Sequence, residues 1–289
     1  MLKPSPLIAA IIMVCLSALC FTLNDTLTKF LIHRYDVTII ILIRSIIAIP
    51  MLMVMAVALG RTRVRWSPAF WLYAFRGAVG LLAAYIYISG LESLSVAEAT
   101  VILFALPFII TAASVLLFKE KVTWRNWTAV IISFCGVIIA IQPGAQAFQP
   151  ASLLILGSAF LYAVVSLSAR WLPAGDNLWT VSFYGALFSG LFVAPLTIGK
   201  WTPLRIEDLL LFSGAAFCSS LGIGLASLAY RNAAASDLAP FGYSGLIWST
   251  AVTWIIWHEM PHSATLIGAA VILGSSAFYL ASRQGRARD

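Results

Sequence analysis

The chain has 289 residues, is 61% hydrophobic and only 10% charged, and carries a net charge of +7. A soluble domain has about 25% charged residues and needs that polar surface to cover its core. With a mean hydropathy of +0.96, the composition excludes a soluble enzyme or nucleic-acid-binding domain and points to a polytopic membrane protein. Cys15, Cys20, Cys135 and Cys218 all fall in apolar stretches without CxxC spacing. They read as small apolar residues, not as a disulfide framework or zinc site.

A spanning helix needs about 20 apolar residues. The breaks predict ten segments: 7–32, 37–59, 68–91, 94–118, 124–141, 150–172, 178–199, 207–230, 236–258 and 262–282. The first is too long for a signal-peptide core and reads as a retained helix. The breaks carry turn or charge signals such as "HRYD", "GRTRVRWSP" and "QPGAQAFQP". With the N-terminus inside, most of the 18 Lys and Arg residues fall on the cytoplasmic side; Arg34, Lys200 and Arg205 fall outside. The positive-inside rule then places both termini in the cytoplasm.

The first segment ends in "FTLNDTLTKF". At 100° per residue, Ser17, Phe21, Thr22, Asn24, Asp25, Thr28 and Lys29 share one side of that helix. A charge within the bilayer needs a partner, and Arg44 in the second segment lies at similar depth. An Asp25–Arg44 ion pair is therefore expected, with Lys29 nearer the surface. Asp25 could instead titrate or contact a substrate. In the third segment Arg76 has no obvious carboxylate partner in sequence. With Gly80 and Ala83 on its face and Tyr87 beyond, it suits a substrate carboxylate, or it caps carbonyls.

The fourth and ninth segments align without gaps: Glu98 meets Asp237 and Glu120 meets Glu259, each 139 positions apart. Ser17 with Ser158, Phe21 with Tyr162 and Lys29 with Arg170 match at a spacing of 141. The chain reads as a duplication of 1–145 and 146–289. Each half holds five spans, an odd number, so the second must insert upside down. Such inverted repeats place a substrate site near the bilayer midplane, between the halves.

Mid-helix aromatic residues with polar tips, Tyr162 beside Ser158 and Ser166, Tyr184, Tyr243 and Trp248, are candidate ligand contacts. Thr100, Phe104, Pro107 and Thr111 form one stripe, and Ala239, Tyr243, Leu246 and Thr250 its repeat partner; both are expected to line the cavity. Pro50, Pro107, Pro195 and Pro240 bend their helices, with Pro107 and Pro240 as candidate gating kinks. In the eighth segment Gly214, Cys218, Gly222 and Ala226 recur every fourth residue, a packing stripe and not a site. "HEMPH", His258 to His262, matches a zinc-protease pattern, but Pro261 would break the helix that the chemistry needs.

Asn24 and Lys29 in the first segment, Arg44 in "LIRSIIA", and "SVAEATVILFALPF…LLFKEKV…GVIIA" with Pro107, Glu120 and Gly136 resemble the ten-span drug/metabolite transporter superfamily with tandem EamA repeats. The order and spacing of these motifs cover essentially the whole chain. The branch most similar is that of the bacterial aromatic amino-acid exporters. The resemblance implies an all-α, ten-helix inner-membrane carrier exporting aromatic or other apolar amino acids by alternating access. It implies no cofactor, no metal, no catalysis, no ATPase subunit and a monomer. A riboflavin-like ring metabolite is the alternative substrate, and a membrane metalloenzyme a distant one. Site residues on this reading are Asn24, Arg76, Tyr87, Thr100, Phe104, Tyr162, Ser166, Tyr184, Tyr243 and Trp248, with Asp25, Arg44 and Lys29 for coupling or ion pairing.

Overall fold

The computed structural model describes residues 6–58, 64–119, 124–141, 149–242 and 244–258, then 263–264, 266–268, 270–271 and 274–275. The chain is all-α. Its helices are α1 (Pro6–Ile32), α2 (Val37–Ala58), α3 (Phe70–Leu91), α4 (Val96–Leu103), α5 (Ala105–Phe118), α6 (Trp124–Ile141), α7 (Ala151–Ser168), α8 (Leu178–Val193), α9 (Leu209–Asn232), α10 (Ala235–Gly242) and α11 (Ser244–Trp257). Seven helical stretches among the described residues are long and apolar enough to cross a bilayer. The tenth predicted segment, 262–282, lies largely outside the described residues.

One predicted span is split. The fourth divides into α4 and α5 at Phe104, whose amide is shared between the carbonyls of Thr100 and Val101. Pro107 has no N–H to offer the Leu103 carbonyl, so the helix is interrupted where α4 ends. The ninth runs over α10 and α11, on either side of residue 243, which is not among the described residues. The starts Val96 and Ala235, and the ends Phe118 and Trp257, lie 139 positions apart. Pro240 lies inside α10 and is not the alignment partner of Pro107. The seventh span also ends early, with a 3₁₀ turn at Ala194–Thr197 around Pro195.

Helix ends follow the same symmetry. Ser95 and Glu98 form a reciprocal capping box that starts α4, and Asp237 occupies the first turn of α10. Beyond α5 and α11, Lys119 and His258 are both left-handed, with φ of 52° and 54°. A side chain there costs about 1 kcal/mol or more that glycine avoids. Lys119→Gly should therefore raise the thermal midpoint in detergent, by about 1 kcal/mol of stability. The left-handed turn also takes His258 off the end of α11; the rest of HEMPH, 259–262, lies outside the described residues.

Packing repeats as well. α1 packs on α9 as α3 packs on α7; α1 meets α10 and α11 as α7 meets α4 and α5; α2 packs on α8. Each of these contacts joins one half of the chain to the other, so the halves interlock. Glycines allow the closest approaches. A Cβ on Gly77 of α3 would stand 2.3 Å from the Phe188 Cβ of α8, and one on Gly222 of α9 would stand 2.9 Å from the Phe21 ring. Phe188 Cβ is fixed to its backbone and cannot yield. Gly77→Ala should therefore cost about 1–3 kcal/mol by overpacking, read as a lower melting temperature.

Two polar clamps hold helix ends together. In one, the Tyr35 hydroxyl donates to Asp208 Oδ2 at 2.8 Å and Arg34 Nη1 to Oδ1 at 2.8 Å. In the other, Ser67 Oγ donates to Asp176 Oδ2 at 2.7 Å and the Tyr73 hydroxyl to the same oxygen at 3.0 Å. Positions 35 and 176, and positions 67 and 208, are repeat partners at the 141 spacing. The acid stands on opposite members of the pair in the two clamps. Beside the first, Asp36 begins α2: its carboxylate accepts from the Thr38 amide at 2.8 Å and hydroxyl at 2.6 Å, with Lys200 Nζ at 3.2 Å. Burial pushes the Asp36 carboxyl up, but the Thr38 bonds and Lys200 together hold it below the usual carboxylate range. This contribution is complete above the ordinary carboxylate pKa and is lost as pH falls through the lowered one.

Candidate functional site

A cavity of about 210 Å³ lies between the halves, walled by α1, α2, α3, α7, α8 and α9 and by the α4–α5 junction. Its chemistry is mixed. Phe21, Tyr73, Tyr87 and Tyr162 supply aromatic surface; Gly77, Gly80, Ala84 and Gly185 leave room; Ser45, Ser166, Ser189, Ser219, Ser220 and Ser227 supply hydroxyls. Three ionisable groups face it: Asp25, Arg44 and Arg76.

Asp25 accepts from Asn24 Nδ2 at 2.9 Å and from the Tyr87 hydroxyl at 2.7 Å. Asp25 and Arg44 interact electrostatically across the cavity, but they do not close to the expected salt bridge within 4.0 Å. Arg44 Nη1 reaches Thr28 Oγ1 at 3.4 Å, a long bond. Two other polar atoms at this end are buried without a partner, Arg44 Nε and Asn24 Oδ1. Matching depth put Asp25 and Arg44 at one level, but α3 supplies Tyr87 first.

Arg76 is 5% exposed. Nη1 donates to the Val165 carbonyl and to Ser168 Oγ at 2.7 Å, and Nη2 donates to Ser227 Oγ at 2.8 Å. It is therefore not unpartnered, but these partners are neutral oxygens from α7 and α9. Asp25–Tyr87 lies toward the C-terminal ends of α1 and α3, and Arg76–Ser227 toward the opposite end of α3. Both contacts bind α3 to the α1–α9 side of the cavity.

The predicted residues Asn24, Asp25, Arg44, Arg76, Tyr87, Tyr162 and Ser166 all line this cavity. Others do not. Lys29 Nζ caps the end of α3 by donating to the carbonyls of Leu91 and Leu94. Thr100 bonds back to the Val96 carbonyl at 2.7 Å. Phe104 and Thr111 are buried in helix packing. Leu103 and Leu106 form the α4–α5 wall instead, so the expected stripe is turned away by the helix interruption. Tyr184 stacks on Tyr73 at 4.5 Å and accepts from the Ser67 amide. Trp248 is 37% exposed on the outer surface. Tyr243 lies outside the described residues, and of Pro107 and Pro240 only the backbone is described.

α9 corrects the sequence reading most. Its stripe of small residues does pack on α1 at Gly214 and Gly222, but its last member, Ala226, joins Ser219, Ser220, Ile223 and Ser227 in a cavity wall. Regular spacing drew the eye to the glycines. The serines are irregularly spaced, and only contact with α3 and α8 shows what they face.

An interlocked pair of helical repeats around a cavity of mixed chemistry, embedded in an apolar exterior, defines a multi-pass membrane transporter. The sequence pattern of the EamA-like transporter family matches twice, at residues 8–142 and 149–281. The chain belongs to that family. It is 26% identical over 274 residues to the S-adenosylmethionine uptake transporter of Rickettsia bellii, covering 93% of this chain and 92% of that protein. It is 32% identical over 173 residues to a riboflavin transporter of Vibrio cholerae, covering 60% and 58%. It is 24% identical over 200 residues to a pseudopaline exporter of Pseudomonas aeruginosa, covering 68% and 70%. A crystal structure of a protein 16% identical superposes with a TM-score of 0.72 over 96% of this chain and 98% of that one; at that identity it speaks for the fold alone.

Proposed function

We propose that this transporter carries an amino acid or amino-acid-bearing metabolite with an aromatic or other apolar side group, by alternating access through the central cavity. The observation that carries the reading is the lining: one carboxylate and two guanidiniums within a wall of aromatic rings and small residues. A zwitterionic head finds both charge signs there, and a ring finds Phe21, Tyr87 and Tyr162. A purely apolar ligand would leave the Arg44 guanidinium without a counter-charge from the ligand. The relatives named for S-adenosylmethionine uptake support this reading, because that compound has an α-amino-acid end and an adenine ring. The relative named for riboflavin supports the second reading, a neutral ring metabolite held by the serines of α8 and α9.

On this reading residues 1–145 and 146–289 are the two units, the protein is a monomer in a bacterial-type inner membrane, and both termini are cytoplasmic. Direction follows the gradient, so a cell that makes the substrate exports it. The kinks around Pro107 and Pro240 are the flexing points. Uptake of labelled tryptophan, phenylalanine, S-adenosylmethionine and riboflavin into proteoliposomes tests the assignment. Saturable uptake of one or more of the first three is expected. Uptake of riboflavin alone would establish the second reading.

A further inference from the structure

We propose that Arg44 and Asn24 together form the subsite for the α-amino-acid head of the substrate, Arg44 taking the carboxylate and Asn24 Oδ1, beside Asp25, the ammonium. The inference rests on the amino-acid reading above and names which end of the cavity holds which end of the ligand.

Arg44 Nε and Asn24 Oδ1 are buried polar atoms with no partner. A buried donor or acceptor left unmade is costly and rare in native proteins, so two on one cavity wall call for a ligand. Asn24 is 8% exposed. Its amide Nδ2 is already committed to Asp25 Oδ1, which leaves its oxygen as an acceptor only. Arg44 touches α1 through Thr28. Thr28 is four residues from Asn24, so their side chains are neighbours on one helix face, about 5–6 Å apart. The Arg44 guanidinium therefore reaches α1 one helical turn from Asn24, and both residues line the cavity.

An unpartnered donor on Arg44 and an unpartnered acceptor on Asn24, on one cavity wall, can take the carboxylate and the ammonium of one α-amino-acid head. The Nε–Nη edge of arginine binds a carboxylate through two parallel bonds. Asn24 Oδ1 accepts from the ammonium, and the Asp25 carboxylate next to it supplies the opposite charge. The side group then lies along the aromatic wall toward Tyr87 and Tyr162. Arg76 serves differently. Its guanidinium already donates to Val165, Ser168 and Ser227, so it braces α3 against α7 and α9.

The test is calorimetric binding to the purified full-length protein. Two ligand pairs differ only in the carboxylate: tryptophan with tryptamine, and S-adenosylmethionine with its decarboxylated form. Indole-3-propionate, which lacks the ammonium, is the third probe. The wild type should prefer the carboxylate-bearing member by about tenfold to a hundredfold, the value of a charge-assisted bond. Arg44→Gln should reduce that preference to about twofold or less, and Arg44→Lys should restore part of it. Asn24→Leu should narrow the gap between tryptophan and indole-3-propionate. An Arg44→Gln protein that melts like the wild type and keeps its carboxylate preference overturns the subsite. Binding of riboflavin without tryptophan or S-adenosylmethionine would overturn the amino-acid reading and the subsite with it, leaving the carrier fold in place.

Discussion

Asp25→Ala should abolish saturable uptake while leaving an assembled protein. Asp25 is the carboxylate of the cavity lining, and it is 8% exposed. It holds Asn24 in orientation and binds Tyr87 of α3 across the cavity. Removing one member of a buried charge contact with a ligand costs about 2–5 kcal/mol of affinity, which is about thirtyfold to several thousandfold. Folding suffers less. The variant strands the Tyr87 hydroxyl and the Asn24 amide, but a buried charge has been removed, which offsets part of that cost. Tyr87→Phe separates the two contributions. It keeps the carboxylate and deletes only the bond across the cavity, so it should retain substrate affinity within a few-fold and change the transport rate. Uptake and binding measured side by side on both variants check this. Unchanged uptake by Asp25→Ala would remove the carboxylate from the account.

Asp176→Ala should be the most destabilising single change among the polar residues, and clearly worse than its mirror variant Asp208→Ala. The two clamps occupy equivalent positions in the repeats but differ in what they leave behind. Loss of Asp176 strands two hydroxyls, those of Ser67 and Tyr73, which are 0% and 1% exposed. Neither can turn to solvent, and each orphaned buried donor costs about 1–3 kcal/mol. Loss of Asp208 strands the buried Tyr35 hydroxyl, but Arg34 is 48% exposed and can turn to water or to Glu207. That variant should lose roughly half as much. Adding Ser67→Ala to Asp176→Ala should recover part of the loss, because it removes one of the stranded donors. Thermal melts of the four proteins in one detergent decide it. Equal losses for Asp176→Ala and Asp208→Ala would contradict the account of the clamps.

How much of this was legible in the sequence varies by feature, for physical reasons. Span positions were readable because a bilayer enforces apolar length, and the end of α1, the start of α2 and both ends of α3 fall within two residues of the breaks read from turn signals. The repeat was readable too, down to the left-handed residues that end α5 and α11. Charged lining residues stood out because an apolar chain keeps few of them. Their partners were not readable. Depth arithmetic joined Asp25 to Arg44, but depth does not say which neighbouring helix faces α1, and Tyr87 came from α3. The serines of α9 carried no periodic signal. The clamps could have been found from the alignment alone: positions 35 and 176 hold Tyr and Asp, and positions 67 and 208 hold Ser and Asp. A hydroxyl and an acid exchanged between repeat partners predict two equivalent contacts.

The most direct test of a transport site in the central cavity uses one cysteine placed at Ser189, a lining residue of α8. The four native cysteines are replaced first, and uptake by that background is measured. A membrane-impermeant thiol reagent is then applied to right-side-out and inverted vesicles. A shared site that opens alternately predicts that Ser189→Cys is labelled from both sides, that labelling blocks uptake, and that saturating substrate slows the labelling. Labelling that leaves uptake intact, or labelling that substrate does not slow, would contradict the placement of the substrate in this cavity.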